Sequence, residues 1–313
     1  MFQNHLPIAL GCMGMSGVNQ SSDITPAIEK KAVEAFEAAL VAGITLFDHA
    51  DIYGAGTCEE VFQTCLKAHP EARENIQIWS KGGIRPLNPT HFDLTSDYLT
   101  GALERSLSRL GVEYLDLYQM HRPDPLSHPK DTAQFLNDAM KSGKIRAIGV
   151  SNYFPEQTRA LQKFLDYPIA TNQFEISALR LAPFYEGWTM PRFAGYSDDT
   201  GVIGDGLLDQ CMAENIVPLA YAPLAKSVLS KDDSTVPREK DVQDVIGELS
   251  KKHEATRGQI ALAWLRTHPS GIIPVVGSNN PSHIFEAAQR TDLRLTHDEW
   301  YRIFAASWGR RMP

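Results

Sequence analysis

The chain has 313 residues and 43% hydrophobic content, which suits one large barrel or two average domains with an ample buried core. A net charge of −8 and the lack of any basic stripe argue against a nucleic-acid or anionic-membrane partner. The four cysteines, Cys12, Cys58, Cys65 and Cys211, stand in no metal-binding spacing and read as reduced, buried thiols of a cytoplasmic protein. No signal peptide is expected at the opening Met-Phe-Gln-Asn-His-Leu-Pro, and no apolar stretch approaches a membrane span.

Eight strands are predicted, at Pro7–Gly11, Thr45–Asp48, Gln77–Lys81, Leu115–His121, Ala147–Val150, Ala170–Gln173, Val217–Ala220 and Ile273–Val276. Amphipathic stretches separate them. Thr25-Pro26 opens the first helix as cap and first-turn proline, Val33, Phe36, Leu40 and Val41 give it an apolar side, and Gly43 stops it. Further helices are expected at Glu59–Ala68, Ser96–Leu110, Asp131–Ser142, Pro155–Leu165, Gly206–Glu214 and Val242–Leu265, the last broken near Ala255. Unbroken strand–helix alternation implies a parallel sheet, and eight repeats imply closure into a single-domain (β/α)8 barrel spanning residues 1–313.

Two connections are too long to be plain turns. Ser177–Asp205 carries Phe184, Tyr185, Trp188, Phe193 and Tyr196, whereas Lys226–Lys240 is charged and contains Pro237. Both are expected as lids or binding loops at the C-terminal face of the barrel. The tail Thr296–Trp308 reads as a helix with Trp300, Ile303, Phe304 and Ser307 on one side.

Four ionisable residues sit at the ends of consecutive apolar runs: Asp48 and Tyr53 after the second strand, Lys81 after the third, His121 after the fourth. One barrel rim would bring them to a common mouth as a cluster able to move a proton. A carbonyl that accepts hydride builds charge on oxygen, which calls for a positioned acid. Tyrosine ionises near 10, so a neighbouring cation such as Lys81 is expected to stabilise its anion, with Asp48 holding that cation. His121 could orient the carbonyl oxygen.

The segment Phe47-Asp48-His49-Ala50-Asp51-Ile52-Tyr53-Gly54 resembles the (F/Y)-D-T-A-x-x-Y-G signature of the aldo-keto reductases. Leu115-Asp116-Leu117-Tyr118 with His121, Gly143 through Asn152, Asn172-Gln173 and Tyr221-Ala222-Pro223-Leu224 match in order and spacing, so the resemblance spans nearly the whole chain. The ending, Gly277-Ser278 and then Glu299-Trp300-Tyr301-Arg302-Ile303, is similar to a bacterial branch of generically named oxidoreductases. This resemblance implies Tyr53 as proton donor in an aldehyde or ketone reduction, with Asp48, Lys81 and His121 as its partners. It also implies cofactor contacts from Met13, Asp48, Ser151, Asn152, Gln173, Tyr221, Leu224, Gly277, Ser278, His283 and Glu286. No GxGxxG follows the first strand, so a Rossmann site is not expected.

The cofactor implied is NADPH. NADH or dual use stays open, because many members place Lys-Ser and a later Arg where this chain has Gly277-Ser278 and His283. The substrate, a small carbonyl compound, is expected between Arg122, Phe154, Trp188 and Phe193, where Arg122 could receive an acid or a sugar hydroxyl. The first strand starts close to Met1, so the hairpin that plugs the barrel floor in many members is expected to be short or missing. Two rival readings remain. His49-x-Asp51 could anchor a metal-dependent barrel hydrolase, although the later strand ends are poor ligands. A nucleotide-sensing regulatory subunit like the potassium-channel β-subunits would keep the same four residues.

Overall fold

Eight short strands close on themselves in the order in which the chain lays them down: β1 (Ala9–Gly11), β2 (Leu46–Asp48), β3 (Gln77–Gly82), β4 (Leu117–Met120), β5 (Ile148–Ser151), β6 (Ile169–Glu175), β7 (Val217–Tyr221) and β8 (Ile273–Val276). Every pairing is parallel, and β8 pairs with β1 to complete the barrel. The computed structural model describes residues 4–184 and 206–309.

Helices wrap the outside: α1 (Pro26–Val41), α2 (Thr57–Ala68), α3 (Ser96–Leu110), α4 (Pro129–Lys141), α5 (Pro155–Gln162), α6 (Leu207–Ala213), α7 (Pro237–His253), α8 (Arg257–Thr267), α9 (Pro281–Ala288) and α10 (His297–Trp308). Local chemistry sets their ends. The Thr25 hydroxyl accepts from the Ile28 N–H at the start of α1. The expected break near Ala255 is real: Glu254 turns left-handed (φ 51°), and Thr256 with Gln259 forms a capping box that restarts the helix as α8.

Three expectations need correction. Pro237 is the first residue of α7, so the connection after β7 ends at Val236, before the expected Lys240, and includes a 3₁₀ turn at Val228–Ser230. Helix α9, eight residues opened by Asn280 and Pro281, is not among the expected helices. A small antiparallel hairpin, Ile84–Arg85 with His91–Phe92, follows β3 and was not expected either. Its strands are two residues each, below any periodic signal.

Strand alternation divides the core into layers. Ala9, Leu46, Trp79, Leu117, Leu219, Ile273 and Val275 fill the barrel interior. Phe47, Ile78, Tyr118, Ile148 and Val150 face the other way and pack with the first five helices. Gly149 on β5 is required by space, since a Cβ there would lie 2.2 Å from the Thr171 hydroxyl and 2.8 Å from Gln119 Cγ. On α10, Ile303, Phe304 and Ser307 are buried as expected, and Trp300 stacks on Trp264 of α8 at 5.0 Å. Each of these indoles donates to the other residue's carbonyl, at 3.1 and 3.0 Å. Phe184, at the start of the long connection, packs against both. Tyr185, Trp188, Phe193 and Tyr196 lie outside the described residues. All four cysteines are buried and unbridged. Among the described residues no helix is long and apolar enough to cross a membrane.

Candidate active site

The interior becomes polar one layer above the apolar floor. Asp48 follows Leu46 at a spacing of two, Lys81 follows Trp79 and Gln119 follows Leu117, so alternation turns all three inward. Lys81, fully buried, donates from Nζ to both Asp48 oxygens at 2.7 and 2.8 Å, to the His49 carbonyl at 2.8 Å and to the Tyr53 hydroxyl at 3.2 Å. Gln173 Nε2 adds a donor to Asp48 Oδ1 at 3.0 Å. The His121 ring meets the Tyr53 ring edge-on, with centroids 6.0 Å apart. The four residues expected at the mouth are therefore one connected cluster.

The backbone aims Tyr53. Its N–H donates to Ala50 O at 3.0 Å, and the next three residues, Gly54, Ala55 and Gly56, are all left-handed (φ 56°, 53° and 102°). Side chains there would collide: a Cβ on Gly54 would lie 2.6 Å from Val18 O, and one on Gly56 2.2 Å from Arg109 Cζ. Arg109 of α3 in turn donates to Asp51 O at 3.0 Å, bracing the turn from behind the barrel wall.

Burial alone would discharge Lys81, but Asp48 and the Tyr53 oxygen outweigh it and raise the ammonium pKa. Burial also raises the Tyr53 phenol, and the Asp48 charge offsets much of what Lys81 does to lower it. The cation is where the sequence placed it, yet Tyr53 remains a firmly protonated phenol at neutral pH. His121 is pushed well below the usual imidazole range by burial, then by Lys81 and Arg122. It stands neutral. His49, the first ligand in the hydrolase reading, faces outward against Phe62 at 4.5 Å, and burial, then Lys81, brings it down to about 3. Neither of its ring nitrogens has a hydrogen-bond partner, and no group of three potential metal ligands occurs among the described residues.

Beside the cluster, a hydrogen-bonded wall links β5, β6 and β7. The Tyr221 hydroxyl donates to Asn152 Oδ1 at 3.1 Å, Asn152 Nδ2 donates to Ser151 Oγ at 2.9 Å, and Ser151 donates to Gln173 O at 2.9 Å. Asn152 holds this position from a left-handed backbone (φ 60°). The wall borders a cleft of about 1270 Å³ that also takes in Met13, Asp48, Tyr53, His121, Arg122, Leu224 and Gly277. At the exit of β7 the chain curls along this cleft through four left-handed residues, Ala222, Ala225, Lys226 and Ser227.

Other expected residues fall outside the cleft lining. Ser278 accepts from the Asn280 N–H, His283 is exposed on the first turn of α9, and Glu286 accepts from the Thr256 hydroxyl at 2.6 Å. Phe154 caps α5, its N–H donating to Gln157, and is not among the cleft-lining residues. Trp188 and Phe193 lie outside the described residues. Conversely, Glu175, Arg180, Arg238 and Glu239 line the cleft without having been singled out. Gln119, which reaches Asp48 at 3.5 Å, was also missed, although its place two residues before His121 on an alternating strand was a usable signal.

Comparison with known proteins agrees with this geometry. A 6-dehydroglucose reductase of Novosphingobium aromaticivorans is 37% identical over 98% of this chain and 98% of its own length. A thermostable aldo-keto reductase solved with the inhibitor epalrestat superposes with a TM-score of 0.78 at 27% identity, covering 96% of this chain and 94% of that one. An aldo/keto reductase of Klebsiella pneumoniae in complex with NADP and acetate shares the fold, with a TM-score of 0.73 at 24% identity and coverage of 95% and 89%. The sequence model of the Aldo/keto reductase family matches residues 7–307, and the chain belongs to that family of oxidoreductases.

Proposed function

We propose that this chain is a cytoplasmic, single-domain reductase that converts an aldehyde or ketone to its alcohol, with NADPH as cofactor. The observation that carries the reading is the Lys81 ammonium, held by Asp48 and 3.2 Å from the Tyr53 hydroxyl at the edge of a cleft. That cleft exceeds the roughly 300–1,000 Å³ of an ordinary ligand pocket, which suits a dinucleotide together with a substrate. Tyr221, Ser151, Asn152 and Gln173 would hold the nicotinamide end, with Met13, Leu224 and Gly277 along the remainder. Ser278, His283 and Glu286, on and before α9, are candidates for the adenosine end. NADPH, when bound, supplies the hydride.

The chain's own residues handle oxygen and proton. His121 is neutral, so it offers one N–H to orient the carbonyl oxygen and is a poor acid at pH 7. The proton therefore comes from Tyr53, and the tyrosinate left behind faces a fixed cation. Asp48 keeps that cation ionised and centred. As for the substrate, the N. aromaticivorans relative is named for a sugar aldehyde, and the charged groups in the cleft suit oxygen-rich compounds.

The test is a cofactor-paired carbonyl screen on wild type and Tyr53→Phe. The phenylalanine variant is expected to lose about 10²–10⁴-fold in kcat, the usual worth of a positioned acid. Undiminished turnover in the variant would sink the assignment of Tyr53. A wild type that binds NADPH yet oxidises it with no carbonyl would favour the nucleotide-sensing reading.

A further inference from the structure

Arg122 follows His121 at the end of β4 and lines the cleft, half-buried. Other charged groups of the cleft are already engaged. Asp48 is held by Lys81, and Glu175 pairs with Arg180 at 3.3 Å. Arg238 donates to Ser307 O at 2.6 Å, and Glu239 accepts from the Ser234 hydroxyl at 2.6 Å. Lys226, a cleft cation with no ion pair among the described residues, is exposed to water.

Arg122 has no carboxylate partner among the described residues, and it lies near the Tyr221 hydroxyl, with which it shares the cleft lining. That hydroxyl spends its proton on Asn152 and offers the guanidinium at most an acceptor, which leaves most of its five N–H donors open. Arg122 follows His121 in the chain and lines the same cleft, which places it beside the spot where the carbonyl oxygen would be oriented, and its charge adds to what keeps the imidazole neutral. A half-buried guanidinium with unspent donors is costly to dehydrate unless the arriving molecule brings oxygen acceptors. Its fork geometry favours two oxygens at once, whether of a carboxylate or of neighbouring hydroxyls.

We propose that Arg122 is a substrate-recognition residue that selects carbonyl compounds bearing an oxygen functional group, hydroxyl or carboxylate, on the carbons next to the reacting one. The proposal rests on the carbonyl-reduction reading and names the substrate class for that same site.

Matched pairs test it. Glyceraldehyde against propanal isolates the hydroxyls at three carbons, and glyoxylate against acetaldehyde isolates the carboxylate at two. In wild type the oxygen-bearing member is expected to have the higher kcat/KM in at least one pair. In Arg122→Met that ratio is expected to fall by 10-fold or more, and Arg122→Lys should restore part of it. A fall in the first pair identifies hydroxyls as the partner, and a fall in the second identifies a carboxylate. Ratios unchanged in both pairs, even with lower rates throughout, would overturn the proposal, because Arg122 would then act on the cofactor or the fold. Thermal shift with D-glycerate, which carries both groups, decides the matter without turnover. It should stabilise wild type and not Arg122→Met, and equal shifts would overturn the proposal even if no aldehyde were reduced. Failure of every aldehyde with both cofactors would instead sink the carbonyl-reduction reading, leaving the glycerate result to judge Arg122.

Discussion

The wall formed by β2 and β3 has buried acids on both sides, and they are managed in opposite ways. Inside, Asp48 accepts from Lys81 through both oxygens, so each of two buried polar groups is satisfied by the other. Behind the wall, Asp51 and Glu59 share Arg109, which gives Asp51 only a bond to its backbone carbonyl and lies 3.5 Å from Glu59. Asp51 Oδ1 has no partner. Burial, followed by the Glu59 charge, pushes Asp51 up to about 7, and burial also raises Glu59 despite the Ser80 hydroxyl at 2.7 Å. Where both carboxylate oxygens meet the cation the pair is closed; where Arg105 and Arg109 stand near but give the Asp51 carboxylate no hydrogen bond, burial favours the protonated acid.

The largest effect should come from unbalancing the inner side. Lys81→Met leaves Asp48 as a lone buried charge, so a loss of about 3–5 kcal/mol in urea unfolding is expected together with loss of turnover. The double variant Lys81→Met with Asp48→Asn should recover most of the stability and none of the activity. A double variant as unstable as the single one would show that packing, not charge, held the pair.

Gly56→Ala links the two sides, because it forces a Cβ into Arg109 at a left-handed position. It should cost about 1–3 kcal/mol, and kcat should fall more than KM changes as Tyr53 is re-aimed. A variant with wild-type kcat would separate the outer brace from the chemistry.

The smallest effect is on pH dependence. A carboxyl raised from 3.8 to about 7 binds its proton more tightly folded than unfolded. Its contribution to stability is therefore complete below about 4 and is lost as pH rises through about 7. Melting of wild type between pH 6 and 8 should show this decline, and Asp51→Asn should flatten it, giving a gap of roughly 3 °C at pH 8. Parallel curves for the two proteins would place the shared proton elsewhere.

The inner side was legible in the sequence and the outer side was not. Asp48, Lys81 and His121 end apolar runs, and strand alternation alone turns such ends into a shared mouth. The break near Ala255 could be read because Thr256 and Gln259 form a local signal. By contrast, Arg109 lies 58 residues from the carbonyl it braces, and Gln173 lies 125 from the carboxylate it holds. No periodicity reports partnerships formed only by closure of the barrel. Helix α9 was missed for another reason, since Asn280-Pro281 reads equally well as a turn and as a cap.

Gly149 has a consequence for how such a chain can change over time. The side chains of Gln119 and Thr171, from the strands on either side, fill the space its missing Cβ would need, and Gln119 reaches on to Asp48. Alanine at 149 is compatible with this layer only if residue 119 or 171 becomes smaller. Substitutions at the three positions are therefore expected to travel together among relatives, even though two of the three residues take no part in the reaction and the third only touches a residue that does.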